Sequence, residues 1–235
     1  MQRYFAKDKI ENKIILEESD LRHIKTVMRM QDNDEIEVVF DNKLYLCCIE
    51  NVKLNLQISV KKELKKDTKN QEITLIIPIL KEQKIDYILQ KSTELGVTKI
   101  IPVTTERTLV KLDEKGFLKK LERWNKICKE ASEQSKRLDI PLIQNMVKLN
   151  DLKCMDGVSI VCSTITSNSI KTSFQNKPLC DKINIVIGPE GGLSKKEEEF
   201  LNNIGFESVS LGKRILRVET APLMVLSILN YINME

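Results

Sequence analysis

What this 235-residue chain lacks removes several classes of protein at once. No apolar run approaches the roughly 20 residues needed to cross a bilayer, so a spanning helix is not expected. Met1-Gln2-Arg3-Tyr4-Phe5 enters an alternating pattern directly and lacks the charged and apolar regions of a signal peptide; the expectation is a soluble, cytoplasmic protein with no membrane partner. The six cysteines (Cys47, Cys48, Cys128, Cys154, Cys162, Cys180) include no C-x-x-C pair. Most lie in apolar runs, where cysteine packs as a small hydrophobe, so neither a disulfide framework nor a metal site is expected. The glycine cluster at 188–192 matches neither G-x-x-x-x-G-K-[ST] nor G-x-G-x-x-G, which disfavours a P-loop or a Rossmann phosphate site. Excess charge is also small, at +4, and basic and acidic residues nearly balance both before and after residue 70. Composition alone therefore does not point to a polyanionic partner.

What is present falls into two styles. Glu35 to Phe40, Lys43 to Cys47 and Leu54 to Val60 alternate apolar and polar residues, as half-buried antiparallel strands do. Asp41-Asn42 lies between the first two, and both residue types tolerate a left-handed backbone, so a tight hairpin is expected there. Leu21, Ile24 and Met28 share one face of a short helix over Asp20 to Met28. A small β-barrel or sandwich follows. The polar run Lys61 to Asn70 ends the alternation and is the expected interdomain linker. Beyond it come short, almost wholly apolar strands: Ile73 to Ile77, Lys99 to Val103, Val158 to Cys162, Ile183 to Ile187 and Ser208 to Leu211. Helical faces separate them, one through Ile85, Ile88, Leu89, Ser92 and Leu95, another through Leu121, Trp124, Cys128 and Ala131. This pattern predicts an α/β domain with a mainly parallel sheet.

Chemistry concentrates in two loops. Ile187-Gly188-Pro189-Glu190-Gly191-Gly192-Leu193-Ser194 leaves a strand and enters a helix whose start carries a Ser194/Glu197 capping box. Ligands of open α/β sheets bind at the carboxyl ends of strands, and the glycines let backbone approach a ligand without side-chain interference. Leu211 to Ala221 follows the last strand and precedes an apolar helix, with Pro222 in that helix's first turn. The two loops are placed to wall a single pocket.

These residues resemble a known family. Gly188-Pro189-Glu190-Gly191-Gly192 with Leu193-Ser194 and Glu197, together with Leu211-Gly212-x-x-Ile215-Leu216-Arg217-x-Glu219-Thr220-Ala221, is similar to the signature pair of the RsmE family, 16S rRNA (uridine-N3) methyltransferases of the SPOUT superfamily. His23-Ile24-x-x-Val27-x-Arg29, Lys91-x-x-Glu94-Leu95-Gly96-Val97, Glu106-Arg107-Thr108 and Glu133-Gln134-Ser135-x-Arg137 with Pro141 resemble its other motifs, in order, along nearly the whole chain. Two positions and one stretch depart from the pattern. Asn33 stands where the family usually has Gly, Leu193 replaces a common Phe, and Cys162 to Thr166 does not match.

The resemblance implies a PUA-like β-barrel over 1–68 and a SPOUT domain over 69–235, with a deep trefoil knot, a mainly parallel sheet and a homodimer. It implies S-adenosyl-L-methionine as methyl donor, held by Thr164, Ile187, Gly188, Glu190, Gly192, Leu211, Gly212, Ile215, Leu216, Thr220 and Ala221, and no metal. The implied substrate is 16S rRNA of the small ribosomal subunit, with Arg3, His23, Arg29, Arg107, Gln134 and Arg137 as RNA contacts. The single histidine, His23, reads as a packed or RNA-facing residue rather than a general base. That leaves Arg217 to stabilise the uridine anion, and Glu219 to orient Arg217 or accept the N3 proton. Two alternatives stay open on sequence: a SPOUT methyltransferase with another RNA target, and a non-catalytic RNA-binding assembly factor with an inert knot.

Overall fold

The structure, a computed structural model, describes residues 1–66, 71–175 and 181–233. The chain forms two compact units, Met1–Lys69 with Lys129–Ile140, and Asn70–Cys128 with Pro141–Glu235.

In the first unit, β1 (Arg3–Phe5), β2 (Asp8–Ile10) and β3 (Lys13–Ile15) precede the short helix α1 (Glu18–Arg22). A π-helical turn over His23–Val27 leads to β4 (Glu35–Phe40), β5 (Lys43–Glu50) and β6 (Gln57–Lys66). The sheet order is β1-β4-β5-β6-β3-β2, antiparallel except for the β1–β4 pair. Its two outermost strands, β1 and β2, are joined by only Ala6 and Lys7. The Ala6 amide donates to Val39 and the Lys7 amide to Ile15, each at 2.8 Å, so the ends of the sheet are drawn together and it curls as a barrel does. Alternation sends Ile36, Val38, Cys47, Ile49 and Ile58 inward around Tyr4 and Ile24. Asp41 and Asn42 take φ of 50° and 55°, the left-handed pair of a tight hairpin, and Asn33 takes 74°.

Two local expectations change. The helix expected from Asp20 to Met28 widens at His23, where the Met28 amide donates to the His23 carbonyl, five residues back. The wider turn rotates Met28 off the inner face, and it is exposed while Ile24 is buried. The expected linker is strand as far as Lys66, paired with β5 through two register irregularities. Residues 61–64 are exposed, so their polarity marks a solvated strand rather than a connector. The rest of that run, and the expected boundary at 68/69, lie outside the described residues.

The segment from Lys129 adds a half-buried polar cluster to this unit. Lys129 Nζ donates to both oxygens of Asp20, at 2.6 and 2.8 Å, and lies 3.5 Å from Glu133 and 3.4 Å from Glu17. The Tyr4 hydroxyl pairs with His23 Nδ1 at 3.0 Å, and Glu133 Oε1 accepts from the Phe5 amide at 3.4 Å. Burial is the main cause that lifts the Glu133 carboxyl to about 7; Lys129 opposes it, and Asp20 adds to it. Lys129 is nearer Asp20 than Glu133, so its charge does not offset the burial. A carboxyl raised in the native state stabilises the fold while it is protonated, and stability falls with pH wherever the native state holds a proton that the unfolded chain has lost. This contribution is complete below about 4.5 and is lost as pH rises through about 7. The melting temperature of Glu133→Gln should therefore vary less than wild type between those pH values; an identical slope would contradict the assignment.

The second unit contains β7 (Glu72–Pro78), α2 (Glu82–Glu94), β8 (Lys99–Thr104) and α3 (Glu114–Gln134), whose residues from Lys129 belong to the first unit. Then come β9 (Leu142–Ile143), β10 (Val147–Lys148), β11 (Val158–Cys162) and α4 (Ile170–Gln175). The chain continues through β12 (Lys182–Ile187), α5 (Lys195–Asn203), β13 (Glu207–Val209) and α6 (Thr220–Ile232). Every pairing is parallel, in the order β10-β8-β7-β12-β11-β13 with β9 beside β8. Both faces are covered, which is why these strands are apolar throughout. Ile73, Leu75, Ile77, Ile183 and Ile185 pack with α2 and with Val225, Leu226 and Leu229 of α6. Ile76, Val161 and Val186 pack with Leu201 of α5 on the other face.

Candidate functional site

Parallel strands end together, and here the segments leaving β7, β11, β12 and β13 meet at one edge of the sheet. Between them lies a cavity of about 550 Å³. Ser163 and Thr164 after β11 form one wall, Ile187 to Leu193 after β12 a second, and Ser210 to Val218 after β13 a third. Every expected donor-binding residue except Thr220 lines it. Thr220 starts α6 instead, and its amide donates to the Arg217 carbonyl at 2.9 Å.

The glycine loop is held from both sides. Ser194 caps α5, accepting from the Glu197 amide, while Glu197 accepts from the Ser194 amide at 2.8 Å. The same carboxylate accepts from the Glu106 amide at 2.8 Å, tying 105–108 to the helix start. Arg107 then donates to the Gly191 carbonyl at 2.7 Å. Expected as an RNA contact, Arg107 thus also closes the loop, with its side chain at the surface.

At the mouth, Arg217 is 86% exposed and lies 3.9 Å from Glu219 Oε1. Glu219 Oε2 is buried with no hydrogen-bond partner among the described residues. Lys84, in the first turn of α2, binds Glu190 Oε1 at 2.7 Å. That hydrogen bond raises the Lys84 ammonium, and Glu190 and Glu219 add to the effect. For Glu190, burial works against the charge, but Lys84 and its own backbone amide outweigh it and hold the carboxyl below its usual range.

The sequence reading missed Lys84 and Glu198, both of which line the cavity. Each carried a signal. Lys84 is a cation in a first helical turn, where the helix dipole disfavours one. Glu198 precedes Leu201 by three residues, which puts an acid on the buried face of α5. Among the described residues, no group of three or more His, Cys, Asp or Glu is placed to hold a metal.

The remaining RNA candidates lie in the first unit. Arg3 is a correction: it is only 6% exposed, its guanidinium pairs with Glu37 at 2.8 Å, and it donates to the carbonyls of Lys136 and Arg137. All of its reach is spent inside the protein. His23 is half-buried against Tyr4, Arg137 is half-buried and pairs with Asp139 at 2.6 Å, and Arg29 and Gln134 are exposed.

A family model described as an RNA methyltransferase domain matches residues 67–230, and one described as an RNA methyltransferase PUA domain matches 16–61. The ribosomal RNA small subunit methyltransferase E of Bacillus subtilis is 34% identical, covering 98% of this chain and 96% of that protein. That of Aquifex aeolicus is 33% identical over 97% of this chain and 99% of its own. The crystal structure of a ribosomal RNA small subunit methyltransferase E from Neisseria gonorrhoeae, bound to S-adenosyl methionine, superposes with a TM-score of 0.86 at 29% identity, covering 99% of this chain and 98% of that one.

Proposed function

The chain belongs to the ribosomal RNA small subunit methyltransferase E family, and from that premise we propose that it transfers a methyl group from S-adenosyl-L-methionine (SAM) to N3 of a uridine in 16S rRNA. The observation that carries this reading is the convergence of three strand-end loops on one cavity beside Arg217 and Glu219.

The residues present fit the donor. A cavity of about 550 Å³ suits a ligand of that size, since small-molecule sites span roughly 300–1,000 Å³. At Gly192 an added Cβ would meet nothing within 4 Å, so the loop presents bare backbone to open space. Leu193, Leu211, Leu216 and Ala221 supply an apolar wall for a purine, and the backbone of Gly188, Gly192 and Gly212 supplies polar contacts. When bound, SAM supplies an electrophilic methyl on a sulfonium. The protein aligns the uracil for in-line displacement and favours loss of the N3 proton. Arg217, a cation at the mouth, stabilises the negative charge as the proton leaves. Glu219 orients Arg217 or accepts that proton.

N3 lies on the Watson–Crick edge, so the base must be unpaired or flipped out. His23 and Arg29 in a PUA-like domain over 1–68, and Arg107, Gln134 and Arg137 in a methyltransferase domain over 69–235, are the RNA contacts of this reading. The chain returns from β13 at the sheet's edge to α6, on the face that also holds Ile170 of α4. A trefoil knot involving that return is part of this reading. Ile215, 84% exposed in the loop, is an apolar side chain left for a second subunit to cover, which supports a homodimer. The setting is the cytoplasm, on small ribosomal subunits.

The test is transfer of labelled methyl from SAM to small subunits from cells lacking this gene, with nucleoside mass spectrometry of the RNA. 3-Methyluridine is the expected product. Label on another nucleoside overturns the N3 assignment, and no label overturns the enzymatic one.

A further inference from the structure

Glu198 is a buried acid that the transfer step does not use. It sits in the first turn of α5, is 9% exposed and lines the cavity on the side of Ser163. Negative charge there is stabilised by the helix's own amides. The Ser163 hydroxyl donates to Glu198 Oε2 at 2.9 Å and itself accepts from the Ile165 amide at 3.2 Å, so the carboxylate is fixed in orientation. Among the described residues nothing donates to Oε1. Oε1 is not among the fully buried oxygens that lack a partner, so it stays open to the space that Glu198 lines and can accept from a ligand there.

We propose that Glu198, held by Ser163, is a specificity residue for the methyl donor and accepts a hydrogen bond from its adenosine half. This rests on the reading of the cavity as the SAM site. Depth decides which half of the ligand it meets. The transferred methyl must face a base arriving from solvent, so the sulfonium lies toward the mouth, where Arg217 is 86% exposed. The nucleoside then lies inward, against the buried carboxylate. Its hydrogen-bond donors are the ribose hydroxyls and the adenine amine, and either is matched by one open carboxylate oxygen. Lys84, which also lines the cavity, suits the carboxylate of the methionine half in the same orientation.

Calorimetric titration tests this without turnover. Wild type and Glu198→Gln are titrated with S-adenosylhomocysteine, with 5′-methylthioadenosine, which lacks the amino-acid half, and with S-inosylhomocysteine, which lacks the amine. A hydrogen bond to a charged group corresponds to a loss of about 10- to 100-fold. The expected result is that loss for both of the first two ligands alike, with ligand-free melting unchanged. If the loss vanishes with S-inosylhomocysteine the amine is the donor, and if it persists the ribose is; both outcomes support the proposal. A loss confined to S-adenosylhomocysteine means that the carboxylate meets the ammonium and overturns it, as does no loss at all. Should Glu198→Gln not fold, Ser163→Ala serves instead, because it frees the carboxylate: a loss of a few fold, equal for the first two ligands, is expected, and none overturns the proposal. If wild type binds none of these ligands, the SAM reading falls as well; if wild type binds and the variant matches it, only the Glu198 assignment falls.

Discussion

Gly192→Val is expected to weaken SAM binding by at least about a hundredfold while the first unit melts as in wild type. Two effects act in the same direction. Gly192 has φ of +68°, a region that costs an L-residue roughly 1–2 kcal/mol and a β-branched one more. Its amide also closes the turn onto the Pro189 carbonyl at 2.8 Å, so relaxing φ would open the loop. If the loop instead holds its shape, the added Cβ meets no neighbour within 4 Å, so the valine side chain stands in the open space of the cavity that Gly192 lines. Either way the donor loses its backbone wall, whereas the barrel-like sheet has no stake in the change. Gly188 is a useful contrast. A Cβ there would come within 3.1 Å of Leu193, so Gly188→Ala should disturb the loop's own packing. Calorimetric titration and circular dichroism melting measure both parts of the expectation. Affinity within threefold of wild type in a folded Gly192→Val protein would sink it.

The sequence is readable where local chemistry decides. Asp41-Asn42 makes its hairpin because both residues tolerate positive φ, and Ser194 with Glu197 caps α5 because a side chain three residues away can reach the free amides. The apolar strands β7, β11 and β12 are visible because a parallel sheet covered on both faces needs apolar residues throughout. Sequence fails where distant residues decide. Arg3 looks like a surface cation until Glu37 and the carbonyls of Lys136 and Arg137 surround it, and nothing near position 3 announces a partner more than 130 residues away. The run expected as a linker, Lys61 to Asn70, begins with exposed residues 61–64, where a solvated strand and a solvated loop share a composition and the pairing with β5 alone separates them. The π-helical turn at His23 shifts the helical period by about one residue per turn, which misplaces Met28 and leaves Ile24 correct. In the site, the two glycine-bearing loops are legible as motifs. Lys84 and Glu198 come from helices whose main pattern is core packing, so their chemistry shows only once the cavity is formed.

Arg217→Ala should lower kcat for methyl transfer by about 10²- to 10³-fold, the range seen when one charge-stabilising donor is removed from a transition state. Binding of SAM should change by no more than a few fold, since the apolar and backbone walls of the cavity are untouched. Stability should not change either, because the side chain is 86% exposed and its ion-pair neighbour among the described residues, Glu219, is 3.9 Å away. That loose tether suits a group that must swing onto the uracil rather than hold the fold. Arg217→Lys keeps the charge and loses the planar fork, so its rate should fall between the two. Glu219→Gln then separates the roles left to that residue. If Glu219 takes the N3 proton, the variant loses the wild-type rise of rate with pH; if it only orients Arg217, the rate falls with the shape of the pH profile kept. The readout throughout is single-turnover transfer of labelled methyl to small subunits at saturating SAM. A full rate in Arg217→Ala would remove the guanidinium from the chemistry and leave Lys84, Lys213 and Arg214, which also line the cavity, to stabilise the anion.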